Sequence, residues 1–240
     1  GRCTYLIGRD ITTKYTARSL EMYRKTALYI RNIVASMRGN YLVFFPSFAY
    51  LECTRQVYEE EYGTKQTEIL CQRPDMTQEE KERFLSCFSE GNRLRLEDKI
   101  HYDLTVVENR TLVGFCVMGG IFGEGIDLRG ESLIGVIIVG CGIPQVGFSR
   151  NLLKEYFDDC GKNGYDYAYR FPGIHKVLQA AGRVIRTEED AGIVVLLDYR
   201  FFERGYRMLF PREWRDPIGV TTETVNRELS NFWKKMNDRL

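Results

Sequence analysis

Three short runs of unbroken apolar sequence constrain this chain more than any other feature: Tyr41-Leu-Val-Phe-Phe45, Leu133 to Val139 and Gly192 to Leu197. A strand with one face in water alternates apolar and polar residues. A run without alternation predicts a strand covered on both faces, as strands of parallel sheets are. Thr67 to Cys71 and Leu112 to Met118 read as two further strands. Helical patterns lie between them. Leu20, Tyr23, Ala27, Ile30, Val34 and Met37 recur at three- and four-residue steps, which predicts an amphipathic helix from Thr16 to Met37, stopped by Gly39-Asn40. Ser47 can cap a helix running to about Glu60, and Thr77 with Glu80 makes a capping box for one ending near Glu90-Gly91. Phe148 to Asp158, Ile174 to Arg186 and Thr221 to Leu240 also read as helices. Cys160 to Pro172, rich in Gly and Tyr, reads as a loop, and the charged stretch Asn92 to Asn109 takes no assignment. Strands alternating with helices at this spacing predict an α/β fold, with helices flanking a mainly parallel sheet.

Composition narrows the class. With 240 residues, 44% hydrophobic and 28% charged, the chain has the make-up of a soluble domain, or of one domain with appendages. No run approaches the roughly 18 apolar residues of a membrane-spanning helix, so no membrane partner is expected. A net charge of +1 means that any basic surface has to be local. The seven cysteines include no CxxC, the nearest pair being Cys71 and Cys87, and only His101 and His175 are histidines. Metal-ligand spacing is therefore absent, and no metal site is expected. Several cysteines sit in apolar runs, where buried thiols are the ordinary case. An odd count without a secretory leader points to a reducing, cytoplasmic setting.

Two constellations carry chemistry. In Gln179-Ala-Ala-Gly182-Arg183-Val-Ile-Arg186, helical geometry would put Gln179, Arg183 and Arg186 on one face, opposite Leu178, Ala181 and Ile185. Two guanidiniums beside an amide suit a phosphate-rich ligand. Gly182 costs a helix about 1 kcal/mol relative to Ala, which is expected where something approaches the backbone closely. The plain alternative is a solvated polar face on an ordinary helix. The second constellation, Gly119-Gly-Ile-Phe-Gly123-Glu124-Gly125-Ile126-Asp127, follows a strand and so lies at the carboxyl edge of the sheet, where open α/β sheets bind ligands. Its glycines let backbone amides approach a phosphate or sugar, and Asp127 can accept from a ribose hydroxyl. The alternative is a Gly-rich turn without a ligand; no GxGxxG is present.

In this order, the two constellations resemble motifs V and VI of superfamily-two helicases, most closely the XPD/DinG branch. Asn40-Tyr-Leu-Val-Phe-Phe-Pro-Ser47 is similar to motif IV, and Glu124-Gly-Ile-Asp127 to the core of motif V. Tyr165-Asp-Tyr-Ala-Tyr-Arg-Phe-Pro172 resembles the approach to motif VI, Gln179 to Arg186 resembles motif VI itself, and Asp198-Tyr-Arg-Phe201 is similar to the ending after it. The resemblance implies a second RecA-like motor domain of an ATP-dependent helicase moving 5′ to 3′ on single-stranded DNA. On that reading residues 1–38 are a strand and helix leading into the motor domain, and residues 39–240 are the domain itself with its C-terminal helix. Arg183 and Arg186 would be arginine fingers for the γ-phosphate, and Gln179 would orient that phosphate or the attacking water. Gly123, Glu124, Gly125, Asp127 and Gly182 would line the ATP cleft. Ser47, Phe48, Gly119 and Gly120 would touch the nucleic-acid backbone.

What the sequence lacks completes the expectation. It contains no GxxxxGK[ST] and no acidic metal-binding run; Gly161-Lys162 is followed by Asn163. The resemblance puts the loop that holds ATP and Mg²⁺ in the first motor domain, together with an iron–sulfur cluster where the family has one. A chain like this alone is then expected not to hydrolyse ATP. A weaker signal is Arg200, Arg204, Arg207, Arg212 and Arg215 interleaved with Tyr199, Phe201, Phe202, Tyr206 and Trp214. That composition suits single-stranded nucleic acid, but aromatics packing on the core explain it more simply. The competing functional readings are a non-enzymatic nucleic-acid-binding module and, ranked last for want of a nucleophile or base, a small-molecule α/β enzyme.

Overall fold

The computed structural model describes residues 3–89, 110–120, 122, 133–182, 192–214 and 216–238. Within them one sheet contains β1 (Cys3–Gly8), β2 (Asn40–Phe45), β3 (Thr67–Cys71), β4 (Thr111–Val117), β5 (Gly135–Val139), β6 (Gly192–Leu197) and β7 (Ile218–Val220). The strands stand in the order β3-β4-β2-β5-β6-β1-β7, and every adjacent pair is parallel. The helices are α1 (Leu20–Val34), α2 (Phe48–Tyr62), α3 (Gln78–Ser89), α4 (Phe148–Asp159), α5 (Phe171–Ala181), the single turn α6 (Arg204–Arg207) and α7 (Val225–Asn237).

The apolar runs do what their pattern predicts. Tyr41, Val43 and Phe45 of β2 face one core with Ile137 of β5 and Val195 of β6, and α1, α2 and α7 cover it with Ile30, Tyr58 and Leu229. Leu42 and Phe44 face the opposite core with Ile138 and Leu196, under Phe88 of α3 and Val177 of α5. Each such side chain, fully buried, contributes roughly 1.5–3 kcal/mol. The α/β, RecA-like layering of helices on both faces of a parallel sheet is therefore written directly in the strands.

Several boundaries differ from expectation, for local reasons. The first helix begins at Leu20 because the Ser19 hydroxyl accepts from the Met22 amide at 3.3 Å; Tyr15–Ala17 form a separate tight turn. It ends early because Ser36 Oγ bonds the Ile33 carbonyl at 2.6 Å. Of the expected loop from Cys160 to Pro172, only the residues up to Asn163 lie outside a helix. Asp166–Arg170 form a π-helical turn that continues into α5. Ring pairs along this segment, Phe157 on Tyr167 and Tyr165 on Tyr169, and an Arg170–Asp166 ion pair hold it. Pro172 lies inside this continuous helical run and has no N–H to donate; the Ala168 carbonyl four residues before it accepts instead from Arg150 Nη1 at 3.2 Å. The short strand β7 carries only three residues and a central glycine, too little pattern to read. The unassigned stretch 92–109 lies outside the described residues.

A candidate nucleotide and nucleic-acid rim

Because the strands are parallel, their carboxyl ends share one edge, and the segments leaving them line a single rim. The exits of β2 and β4 are neighbours: the Met118 amide donates to the Phe45 carbonyl at 2.9 Å. Ser47, extended at φ −165°, caps α2 by accepting from the Tyr50 amide at 3.2 Å. The N-terminus of that helix thus opens on the rim, where its dipole favours an anion. Phe48 is half-buried and lines a groove of about 570 Å³ with Leu51, Ile69 and Gln72. After β4 the chain turns tightly, the Gly120 amide donating to the Val117 carbonyl at 3.3 Å. Gly119 takes φ +69° in that turn, the left-handed conformation that favours glycine. Gln72, leaving β3, ties this exit down: its Oε1 accepts from the Val117 amide at 2.8 Å. The structure therefore brings Ser47, Phe48, Gly119 and Gly120 to adjoining strand ends.

Helix α5 is fixed to the same rim through backbone. Gly142 leaves β5 with φ +66°, and a Cβ there would stand 2.6 Å from the Gly173 carbonyl oxygen. Ile174, Val177, Ala180 and Ala181 bury the inner face of α5. Lys176 reaches the β4 turn, its Cε 2.9 Å from where a Gly119 Cβ would be. Gln179, half-buried, follows three residues later on the same side of the helix. Gly182 ends the described helix, exposed at φ −64°; among the described residues, a Cβ there would meet only the carbonyl oxygens of Leu178 and Gln179, at 3.4 and 3.6 Å. The close approach expected at Gly182 is thus not made by any other described part of the chain. Arg183 and Arg186 lie outside the described residues, as do Gly123, Glu124, Gly125 and Asp127. The expected stripe of Gln179, Arg183 and Arg186 is therefore described only at Gln179.

Sequence reasoning missed a second group on the rim. The Asp198 carboxylate, fully buried at the end of β6, accepts from the Thr13 amide at 2.8 Å, Thr13 Oγ1 at 2.9 Å and the Arg200 amide at 3.0 Å. The Arg200 guanidinium closes on it with Nε at 2.8 Å and Nη2 at 2.7 Å, and Nη2 also reaches Thr13 Oγ1 at 3.0 Å. The Tyr199 amide donates to the Ile11 carbonyl at 2.8 Å. This knot pins the loop leaving β1, on which Lys14 lies over the Tyr199 ring, and Arg18 packs against Tyr15 and Tyr50. Thr13 and Asp198 are 185 positions apart, so no local pattern announces their contact. Cys141, between the rim glycines, is kept a neutral thiol: burial pushes its pKa well above the ordinary value, and the Asp198 charge adds to that. The basic and aromatic segment after β6 follows the simpler explanation, because Phe201, Tyr206 and Trp214 are buried in the second core; Arg215 lies outside the described residues.

The described rim offers amides, a hydroxyl and cations but no paired nucleophile and base. Backbone amides and cations of this kind suit an anionic ligand. A parallel α/β sheet with a ligand-binding rim at its carboxyl edge serves many functions, and comparison gives this chain's family. The chain belongs to the helicase C-terminal domain family, whose model matches residues 30–217. Within that family it is of the XPD/DinG type. It is 29% identical over 202 residues to the ATP-dependent DNA helicase XPD of Sulfolobus acidocaldarius, covering 81% of this chain and 31% of that protein. It is 38% identical over 89 residues to the ATP-dependent DNA helicase DinG of Photobacterium profundum, covering 36% of this chain and 13% of that protein. A solved XPD helicase superimposes with a TM-score of 0.64 at 23% identity, covering 91% of this chain and 35% of that one, which shows the shared fold. The chain thus spans about a third or less of the relatives it matches.

Proposed function

We propose that this chain is the second motor domain of an ATP-dependent 5′–3′ DNA helicase, working against a first RecA-like domain of the same polypeptide. The observation that supports this most is the meeting of the Ser47 and Gly119-Gly120 exits at one rim, with α5, which carries Gln179, joined to that rim at Gly142 and Gly173. In this reading Arg183 and Arg186 are fingers for the γ-phosphate of an ATP held by the first domain. Gln179 orients that phosphate or the attacking water, and Gly123, Glu124, Gly125, Asp127 and Gly182 line the cleft. Charge spreads over the phosphoryl oxygens during transfer, and one finger is worth roughly 10³–10⁵ in rate, or about 4–7 kcal/mol. Ser47, Phe48, Gly119 and Gly120 form part of the single-stranded DNA groove.

Mg²⁺ and the β- and γ-phosphates are assigned to the first domain, along with an iron–sulfur cluster where one occurs. Among the described residues no three His, Cys, Asp or Glu side chains are grouped to hold a metal ion, and no described helix is long and apolar enough to cross a membrane. This chain alone then binds single strands weakly, because the groove is shared, and does not turn over ATP. The test is made in the full-length polypeptide. Arg183→Ala and Arg186→Ala are each expected to keep ATP binding and to lose turnover about a thousandfold or more; normal turnover in both variants refutes the finger roles. Tight binding of oligonucleotide by this chain alone would favour a non-enzymatic binding module instead.

A further inference from the structure

We propose that Lys176 and Gln72 form a clamp over the Gly119-Gly120 turn that holds one phosphodiester of a single DNA strand. The proposal rests on the reading of this rim as a nucleic-acid groove, which so far places only backbone, Ser47 and Phe48 against the strand.

Three observations carry it. Lys176 is half-buried, and among the described residues its ammonium makes no hydrogen bond or ion pair, although its stem lies along Gly119 with Nζ 3.0 Å from the position of a Gly119 Cβ. A cation partly withdrawn from water is costly unless an anion meets it. Gln72 is 8% exposed, and its Oε1 is committed to the Val117 amide, which fixes the orientation of the side-chain amide. Its Nε2 therefore faces away from that bond with no acceptor among the described residues, 3.2 Å from the position of a Gly120 Cβ. Finally, the two glycines leave no side chain between these donors. Consecutive Cα atoms are about 3.8 Å apart, so an ammonium and an amide N–H flank the same open turn, a pairing that suits the oxygens of a phosphodiester. A strand is favoured over a free phosphate because the site continues along the rim. The capped N-terminus of α2 and the half-buried Phe48 ring adjoin it, offering a second anion position and an aromatic surface.

The test titrates a labelled oligothymidylate against the full-length polypeptide, in which the groove is complete, at two salt concentrations, following fluorescence anisotropy. Lys176→Ala is expected to bind roughly tenfold more weakly and to flatten the slope of log K against log salt by about 0.7, the loss of one phosphate contact. Lys176→Arg should keep the slope. Gln72→Glu preserves the acceptor for Val117 but turns a carboxylate toward the strand; it should weaken binding at least as much, measured well below its own thermal midpoint because a charge at this buried position also costs stability. Ser47→Asp, which keeps the cap and adds a negative charge at the neighbouring exit, reports on the groove itself. If Ser47→Asp weakens binding while Lys176→Ala and Gln72→Glu stay within about twofold of wild type, the clamp is refuted and the groove stands. Absence of saturable binding by the wild-type full-length polypeptide removes both. Displacement of the oligonucleotide by inorganic phosphate, in a manner that depends on Lys176, would overturn the strand as ligand in favour of a free phosphate.

Discussion

Gly142→Ala adds one methyl group at a position that cannot take it. Gly142 stands at φ +66°, where an L-residue costs roughly 1–2 kcal/mol. The new Cβ would also lie 2.6 Å from the Gly173 carbonyl oxygen. That oxygen belongs to the first turn of α5 and cannot rotate aside as a side chain would, so overpacking adds typically about 1–3 kcal/mol. The two effects sum to roughly 2–5 kcal/mol, a large part of the ~5–15 kcal/mol that stabilises a folded domain. At roughly 2–4 °C per kcal/mol for a chain of this size, thermal unfolding followed by circular dichroism should show the midpoint about 4–20 °C lower. Gly147→Ala is the control, since Gly147 is extended at φ −163° and nothing lies within 4 Å of its added Cβ; as the N-cap of α4 it should lose no more than about 1 kcal/mol. Equal losses in the two variants would show that neither the backbone contact nor the left-handed conformation matters, and would refute this account of how α5 is fixed to the rim.

Three further outcomes are expected. Asp198→Ala leaves Arg200 without its counter-charge and the Thr13 amide without its acceptor, which should cost roughly 3–5 kcal/mol in urea unfolding; adding Arg200→Ala should cost much less than its effect alone, and simple additivity would contradict the coupling. The Glu80 carboxyl is held below its ordinary value of 4.5 by the Thr77 amide first and Arg73 second. A depressed folded value gives stability that is present above the unfolded value and lost as pH falls through the folded one, so thermal midpoints of wild type and Glu80→Gln should converge on acidification below about 4.5; a constant gap down to strong acid would count against the capping box. Cys116 and Cys141 are buried, and burial pushes both thiols well above the ordinary value; in a disulfide-exchange assay they should react only on unfolding, while exposed Cys160 reacts in the native chain.

What was legible in the sequence was what each residue decides with its near neighbours. An unbroken run such as Tyr41 to Phe45 has no polar residue to offer either side, so burial on both faces followed before any partner strand was known. The Thr77–Glu80 box and the Ser47 cap span three residues each and formed as expected. From Gly164 on, the segment expected as a loop was misjudged because Gly and Tyr are frequent in loops; what makes it helical is ring against ring across α4 and the π-turn. At the rim, the sequence located Ser47, Gly119 and Gly120, but could not supply Gln72, Lys176 or Thr13.

The sequence by itself therefore determined the layers: which segments form most of the strands, that their sheet is parallel, and that the Gly119-Gly120 segment leaves at its carboxyl edge. Only the tertiary structure decided which ends are neighbours. Strand order placed β4 beside β2 and β6 beside β1, and with it set Lys176 over Gly119 and Thr13 on Asp198. The physical reason is range. Periodicity, caps and turns act over a few residues and leave a trace in the chain, whereas contacts between residues far apart along the chain depend on how all the layers pack together and leave none.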